Sequence, residues 1–447
     1  MPGSIPTSYG GEALSCYSPG NCVTVGRLPI GKTEGLFGAQ EVNGVWKPAV
    51  RLVFNTNVAP APQFSIGSLQ CLNVNYCLLT VTFSTFNYAS YAAIFEMKSG
   101  AWGVGQRIVL SGSDFSDTMG LATTPIMGTV QGGCWSPKYC SVAGYYRTLG
   151  DSWQSYTVSE ANGVWGAPRR IISPNPTSDD TLVGATSCVV SSGCVLTARY
   201  YDNNGNVQLF GESTTDGTWS APAAIAVPSG STSTVSISSL SCTSVNACGG
   251  TGLFSTNASN TVQFVVSRVN GTWGAATQVK LPTGWVQKND PDTYTPPTVR
   301  CANDTSCVTT TWGYINSSIK FQRPMVVSAS NGTWGTAVPV TLPAGGQFSA
   351  IDPPTVNAVA CFSSTRCLVG GSYLDGAKKR RIFFARKSSA GWQQAMMVPL
   401  MPDSAKAYPN SSILDINCFA NASCTAAGNY ANVADQMQSL VIENVLI

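Results

Sequence analysis

The chain has no histidine among its 447 residues. That absence removes triads built on an imidazole base and the usual zinc and copper centres. Charge is also scarce: Asp, Glu, Lys and Arg make up 11%, with a net charge of +3. So thin a balance gives no electrostatic footing for nucleic acid or an anionic membrane, and neither partner is expected. No apolar run approaches the roughly 18 residues that a membrane span requires. The 3.6-residue period of a helix is absent as well. No spare cysteine exists for a thiol nucleophile, and no metal site or cofactor is expected.

What the chain does have is sixteen cysteines in eight pairs, each pair enclosing five residues: Cys16/Cys22, Cys71/Cys77, Cys134/Cys140, Cys188/Cys194, Cys242/Cys248, Cys301/Cys307, Cys361/Cys367 and Cys418/Cys424. The pairs recur every 54 to 63 residues, a period that marks a repeat architecture. An even count at one spacing reads as a disulfide framework, which persists outside the reducing cytosol. Zinc would favour shorter spacings, often with His added. The expected compartment is therefore extracellular. Met1-Pro2-Gly3-Ser4 shows no leader, so a secreted chain with its leader removed, and Met1 as an expression start, is expected.

Between the pairs lies a fixed grammar. In the fourth unit a strand (A) ends at Cys188 and a second (B) starts at Cys194, so each bond is expected to clamp the base of an A–B hairpin. A third strand (C) runs from Val207 to Glu212, and a fourth (D) passes Pro222 to Ile225 after a turn ending in Trp219. Asn43-Gly44, Asn162-Gly163, Asp216-Gly217, Asn270-Gly271 and Asn331-Gly332 each stand two residues before a Trp. Such dipeptides supply the positive φ angles of a type I′ hairpin. Trp46, Trp102, Trp165, Trp219, Trp273, Trp334 and Trp392 recur in phase, which implies packing between neighbouring sheets.

Four short strands per unit, repeated eight times, predict an all-β, eight-bladed β-propeller with one disulfide inside each blade. It is expected as a single domain over 1–447, with blades near 12–55, 66–110, 129–172, 183–227, 236–280, 296–341, 356–399 and 413–447. The eighth unit stops before its Trp turn. Pro2 and Ile5 repeat the spacing of Pro168 to Ile171, so residues 1–8 are expected to complete the last blade.

Cys140-Ser141-Val142-Ala143-Gly144-Tyr145 and Cys424-Thr425-Ala426-Ala427-Gly428-Asn429-Tyr430, with the later Asn-Gly-x-Trp, resemble repeats of secreted bacterial proteins, actinobacterial ones especially. Those proteins are grouped loosely with sialidase-like propellers, and the resemblance implies a fold rather than an activity. The Asn-Gly-x-Trp turn is also similar to the Asp-box of sialidases but lacks its full Ser-x-Asp-x-Gly arrangement. An Asp-box is structural, so the likeness implies no sialidase chemistry. The repeated Trp signature of the eight-bladed quinone-dependent alcohol dehydrogenases is missing.

Functional residues are sought where the repeats differ. Five places after the second Cys stand Arg27, Thr82, Tyr145, Arg199, Leu253, Trp312, Ser372 and Asn429, beside a position that stays small or β-branched. From these, with the long D–A loop before Cys301 and the B–C loop of the third unit, the expected ligand contacts are Arg27, Tyr145, Arg147, Arg199, Trp285 and Trp312. Aromatic faces beside charged groups suit a carbohydrate. Hydrolysis of a glycosidic bond would need two carboxyl groups, and Asp114, Asp117, Asp290, Asp292 and Asp415 are the candidates. Asp415 is the only acid three places before the first Cys of a pair. Asp202-Asn203-Asn204-Gly205-Asn206 begins like a calcium loop but has Ser213 at its twelfth position, so it reads as a hairpin turn. The expected function is carbohydrate-directed, a glycoside hydrolase at the mouth of the central channel if the protein is an enzyme. The alternatives are a glycan- or protein-binding module of adhesin or lectin type, and a structural cell-surface or filament protein.

Overall fold

The computed structural model describes residues 4–5, 11–30, 33–54, 63–84, 90–111, 127–148, 150–175, 180–231, 234–256, 260–287, 297–315, 321–349, 352–405, 410–419, 423–434 and 436–446. These residues form eight antiparallel sheets and no helix. In each sheet strand A pairs with B, B with C and C with D, giving the eight-bladed β-propeller fold. Sheet 3 is representative, with A at Gln131–Ser136, B at Tyr139–Arg147, C at Trp153–Ala161 and D split into Val164–Trp165 and Arg169–Arg170. The fourth strand of sheet 8 comes from the other terminus: Ser4 pairs with Leu440 and Ile5 with Ser439.

Two compact units divide the chain. One comprises Ser15–Val227 with Val235–Ile237, and holds sheets 1 to 4. The other comprises Met1–Leu14, Pro228–Thr234 and Ser238–Ile447. Within the first unit the core is a set of apolar layers between successive sheets. Leu78 and Ile94 of sheet 2 meet Val142 and Tyr156 of sheet 3, and Ala143 and Ile171 of sheet 3 meet Leu196 and Phe210 of sheet 4. The second unit repeats this, with Val326 of sheet 6 against Val369 and Phe383 of sheet 7. Each fully buried side chain of this kind contributes about 1.5–3 kcal/mol. Five of the in-phase tryptophans, Trp102, Trp165, Trp219, Trp334 and Trp392, pack between sheets. Trp102 lies on Gly38 of sheet 1, where an added Cβ would come 2.7 Å from its Nε1. Trp334 Nε1 donates to Ser267 Oγ of sheet 5 at 3.0 Å.

All eight cysteine pairs are bonded, and no free cysteine remains. The partners face each other across the A–B ladder, as Cys134 faces Cys140 and Cys188 faces Cys194. The bonds thus clamp the A–B hairpins as expected. The second cysteine of every pair is buried: Cys22, Cys77, Cys140, Cys194, Cys248, Cys307, Cys367 and Cys424. The reason is their position at the start of strand B, whose first side chains already lie between sheets. Cys307 joins the apolar layer of Val299 and Met325, and Cys367 that of Val308 and Val326. Cys248 is only 4% exposed, with its Sγ 3.8 Å from the Ser244 carbonyl. These sulfurs are therefore core atoms that cross-link strands and offer no face to a ligand.

The C–D turns follow the expected chemistry at Asn43, Asn162, Asn270 and Asn331, whose φ angles are 52°, 55°, 50° and 48°. Ser99-Gly100 takes the same geometry in sheet 2, which the sequence did not announce. Sheet 4 departs from it. Asp216 keeps a negative φ because its Oδ1 accepts the Thr218 N–H at 2.7 Å, and Thr214 Oγ1 accepts the Gly217 N–H at 2.9 Å.

The innermost strand A has one ladder partner, B, so the N–H groups on its far side need other acceptors. Neighbouring sheets supply them by rule. The residue one place before the first Cys accepts the N–H of the next sheet's first Cys: Ser15 from Cys71, Gln70 from Cys134, Ser241 from Cys301, at 2.8, 2.6 and 3.0 Å. The residue three places before it accepts an N–H two positions earlier: Ser68 from Gly132, Gln131 from Thr186, Ser239 from Val299, at 3.0, 3.2 and 3.1 Å. A bulge between Ile66 and Ser68 brings Gly67 against the Val130 carbonyl, 1.8 Å from where a Cβ would stand. Because backbone cannot yield as a flexible side chain can, Gly67→Val is expected to cost about 3 kcal/mol. Urea unfolding at constant slope would measure it.

Candidate functional site

The fifth residue after the second Cys ends up near the B–C end of each sheet. In the first unit these are Arg27, Thr82, Tyr145 and Arg199. Arg27 stands opposite Leu36, and its Nη1 donates to the Phe64 carbonyl of sheet 2 at 3.3 Å. There Arg27, Gln63, Phe64, Ser65, Thr82 and Ser84 line an open cleft of about 390 Å³ between sheets 1 and 2. The cleft falls within the size range of small-ligand sites. One guanidinium, one carboxamide and three hydroxyls edge it, with no carboxylate among the described residues.

Hydrogen bonds carry this surface on to sheet 3. Thr82 Oγ1 donates to the Gly128 carbonyl at 3.4 Å, and the Gly128 N–H donates to the Tyr145 carbonyl at 2.8 Å. The Tyr145 ring lies on Gly128, where a Cβ would come within 1.8 Å of it, so only glycine admits the ring there. Trp153 meets Tyr145 edge-on, with centroids 5.4 Å apart and planes at 82°. Arg147 stands over Trp153 at 5.8 Å and forms an ion pair with Asp151. Trp153 is fixed in turn by its N–H, which donates to Asp180 Oδ1 at 2.5 Å. Arg27, Tyr145 and Arg147 were expected from the sequence; the structure joins them along one unit. Arg199 is half-buried on strand B of sheet 4, opposite Leu209.

The B–C corners share a device that sequence reading missed. Asp202, Asp375 and Asn432 all stand eight places after the second Cys and accept backbone N–H groups of their own loop. Asp202 accepts from the Asn206 and Asn204 N–H groups, each at 2.9 Å, and from the Gln208 amide at 3.1 Å. The Asn206 hydrogen bonds foremost hold its carboxyl below 3.8. The carboxylate is occupied in shaping a turn, as the hairpin reading expected.

The second unit treats the equivalent positions differently. Ser372 Oγ is 3.1 Å from Thr355 Oγ1 and accepts Arg380 Nη1, while Asn429 Oδ1 accepts the Ser412 hydroxyl at 2.7 Å. Trp312 is buried rather than presented, 7% exposed, because Pro324 lies opposite and Thr311 and Gln322 wall it in. Trp285 forms a short strand with Val286 beside the end of strand B, with Gly313 behind its ring and Arg323 over it at 5.8 Å.

Asp415 also has an internal task. It stands three places before Cys418, and it accepts the Leu14 N–H as the latch rule requires. Its Oδ1 accepts the Ile416 N–H at 2.9 Å and lies 3.5 Å from Arg300 Nη2. Burial raises its pKa above 3.8 despite Arg300 and these hydrogen bonds. Asp114, Asp117, Asp290 and Asp292 lie outside the described residues, as do Lys288 and Tyr294.

A pair of close carboxyls exists elsewhere, between sheets 2 and 3. Tyr76 Oη donates to Glu160 Oε2 at 2.9 Å and to Glu96 Oε1 at 3.1 Å, and Lys98 Nζ lies 3.0 Å from Glu96 and 3.6 Å from Glu160. Burial first, then the Glu96 charge, lifts the Glu160 pKa above 4.5, against the Tyr76 and Lys98 contacts. With the Glu160 side chain wholly inaccessible, this pair bonds the sheets to each other and meets no ligand.

No protein-family model and no curated protein matches the chain. Solved structures do. An ulvan lyase, described as a new family of polysaccharide lyase, aligns with 99% of this chain and 96% of its own at 10% identity and a TM-score of 0.46. The WD40 domain of SCAP from fission yeast aligns with 99% and 98% at 7% identity and 0.45. The NanB sialidase of Streptococcus pneumoniae aligns with 99% and 93% at 8% identity and 0.36. Propellers of such different occupation assign no activity to this one.

Proposed function

We propose that the protein is an extracellular carbohydrate-binding propeller whose ligand lies along the B–C ends of sheets 1 to 3. The cleft edged by Arg27, Gln63, Ser65, Thr82 and Ser84 carries this reading. Its hydroxyl, amide and guanidinium groups match the donors and acceptors of sugar hydroxyls. Tyr145 and Trp153 continue it with aromatic surface suited to sugar C–H faces. Eight disulfides fit an oxidising compartment. Hydrolysis is the second reading, and it would draw its two carboxyl groups from Asp114, Asp117, Asp290, Asp292 and Asp415.

Titration of the purified chain against a panel of bacterial and plant polysaccharides tests this. Tyr145→Ala and Arg27→Ala are each expected to weaken glycan binding about tenfold, the size of one lost aromatic or charged contact. The unfolding midpoint should stay near that of the parent chain. Sugar release that stops with Asp415→Asn at unchanged stability favours the hydrolase. Undiminished binding by the Arg27→Ala/Tyr145→Ala double variant rejects the proposed surface.

A further inference from the structure

The basic run Lys378-Lys379-Arg380-Arg381 has no part in that surface and turns the corner between strands B and C of sheet 7. Asp375 shapes the corner. Its Oδ1 accepts the N–H groups of Ala377 and Lys379, each at 2.9 Å, and its Oδ2 accepts Arg381 Nε at 2.8 Å. Arg380 is engaged too, with Asp352 and with Ser372 Oγ at 2.7 Å. Both arginines are thereby fastened to carboxylates. Neither lysine ammonium has a hydrogen-bond or ion-pair partner among the described residues, and Lys378 is exposed.

Lys378 also sits where glycine belongs. Its φ is 57°, and the matching residue of the corresponding corner in sheet 4 is Gly205 at 76°. Glycine takes the left-handed conformation freely, whereas a residue with a Cβ is strained there. A side chain that strains its backbone and has no polar partner among the described residues points to use outside the fold. The charge distribution agrees. Residues 352–399 hold seven Lys and Arg against two Asp, a surplus of five in a chain whose net charge is +3.

We infer that the Lys378–Lys379 corner is a docking point for an acidic polysaccharide, whose sulfate or carboxylate groups the two ammoniums receive. Lysine ammoniums are compact point charges that suit single anionic groups without a planar fork. Two adjacent cations are too few for the counterion release on which nucleic-acid binding depends. That the anion is carried on a polysaccharide rests on the carbohydrate-binding reading proposed above.

Dextran sulfate is the probe and neutral dextran its control, titrated into the whole chain at low ionic strength. Dextran sulfate is expected to bind and dextran is not, with affinity falling as salt is added. The Lys378→Gly/Lys379→Gln double variant should lose about tenfold in affinity, the scale of two exposed ion contacts. Lys378→Gly alone should weaken binding while raising the thermal unfolding midpoint, a combination that a merely structural lysine would not give. Equal binding of both dextrans, or undiminished affinity in the double variant, overturns the inference. So does binding of duplex DNA or anionic vesicles as tight as that of dextran sulfate and equally sensitive to the two substitutions.

Discussion

Replacing Cys188 and Cys194 together by alanine should lower the stability of the chain by about 2 kcal/mol, while reducing all eight bridges should unfold it. Each bridge closes a loop of sequence separation 6, and closure entropy for so short a loop is worth about 2 kcal/mol. A domain of ordinary stability has only about 5–15 kcal/mol in reserve, and eight such losses, even when each is only partly realised, are comparable with that whole reserve. Burial should make reduction slowest at Cys71–Cys77 and Cys134–Cys140, the two bridges in which both cysteines are buried. Cys22, Cys77, Cys140, Cys194 and Cys424 are wholly inaccessible, and Cys248, Cys307 and Cys367 nearly so. A reductant therefore reaches these second cysteines only after a sheet opens, whereas Cys16, Cys188, Cys242, Cys301, Cys361 and Cys418 are half-buried and are the sulfurs attacked first. Thiol counting against time in reductant, with circular dichroism in parallel, would check this. A reduced chain that kept its β signal and melted near the oxidised midpoint would contradict it.

The second large effect concerns pH. Burial raises the carboxyls of Glu160 and Glu212 above 4.5 and that of Asp415 above 3.8 in the folded chain, and in Glu212 the ion pair with Arg169 only partly offsets this. A folded-state pKa above the unfolded one means tighter proton binding in the fold. The associated stability is complete below the unfolded value and is lost as pH rises through the folded value. Asp202 and Asp375 act oppositely. In Asp375 burial is outweighed by the Lys379 and Ala377 N–H groups and Arg381, so both carboxyls lie below 3.8. Their contribution is present above that value and disappears as pH falls through the folded pKa. The fold should therefore gain stability as pH falls from neutral toward the ordinary carboxylate range and lose it again below about pH 4. Urea midpoints at about pH 7, 5 and 3 would show the maximum. Glu160→Gln should flatten the rise, and a midpoint that fell steadily from neutral pH downward would refute the assignment.

Much of the fold could be read because it is written eight times. The cysteine spacing marked the A–B ladder, and the Asn-Gly-x-Trp turns marked most C–D corners. The match of Pro2–Ile5 to Pro168–Ile171 anticipated that Ser4–Ile5 completes sheet 8. The site was legible only in part. Arg27 and Tyr145 stood out by breaking the repeat and Arg147 by its place in the B–C loop of the third unit, but the cleft beside Arg27 depends on how two sheets lean together, which no local pattern states. Asp415 looked chemical because it was a lone acid among neutral residues. Its position matches Ser68, Gln131 and Ser239, whose side chains cap the next sheet, and that shared offset was the signal available. Glu160 carried no signal, since a glutamate in strand C reads as solvent-facing until Tyr76 of the adjoining sheet is seen to meet it. Trp312 was misplaced on the rim because strand alternation says nothing of Pro324 on the neighbouring strand.

The capping side chains of the inner strands of sheets 1, 2, 3 and 5 point the same way along the chain, each offering acceptors to the sheet that follows. A piece cut out after sheet 2 would keep Ser68 and Gln70 as unanswered acceptors on one flank, and the amides of its first strand as unanswered donors on the other. Such a piece is complementary to its own copies in a head-to-tail sense, the geometry that yields open chains instead of two-fold pairs. Proteolytic nicking between blades would thus be expected to seed linear polymers.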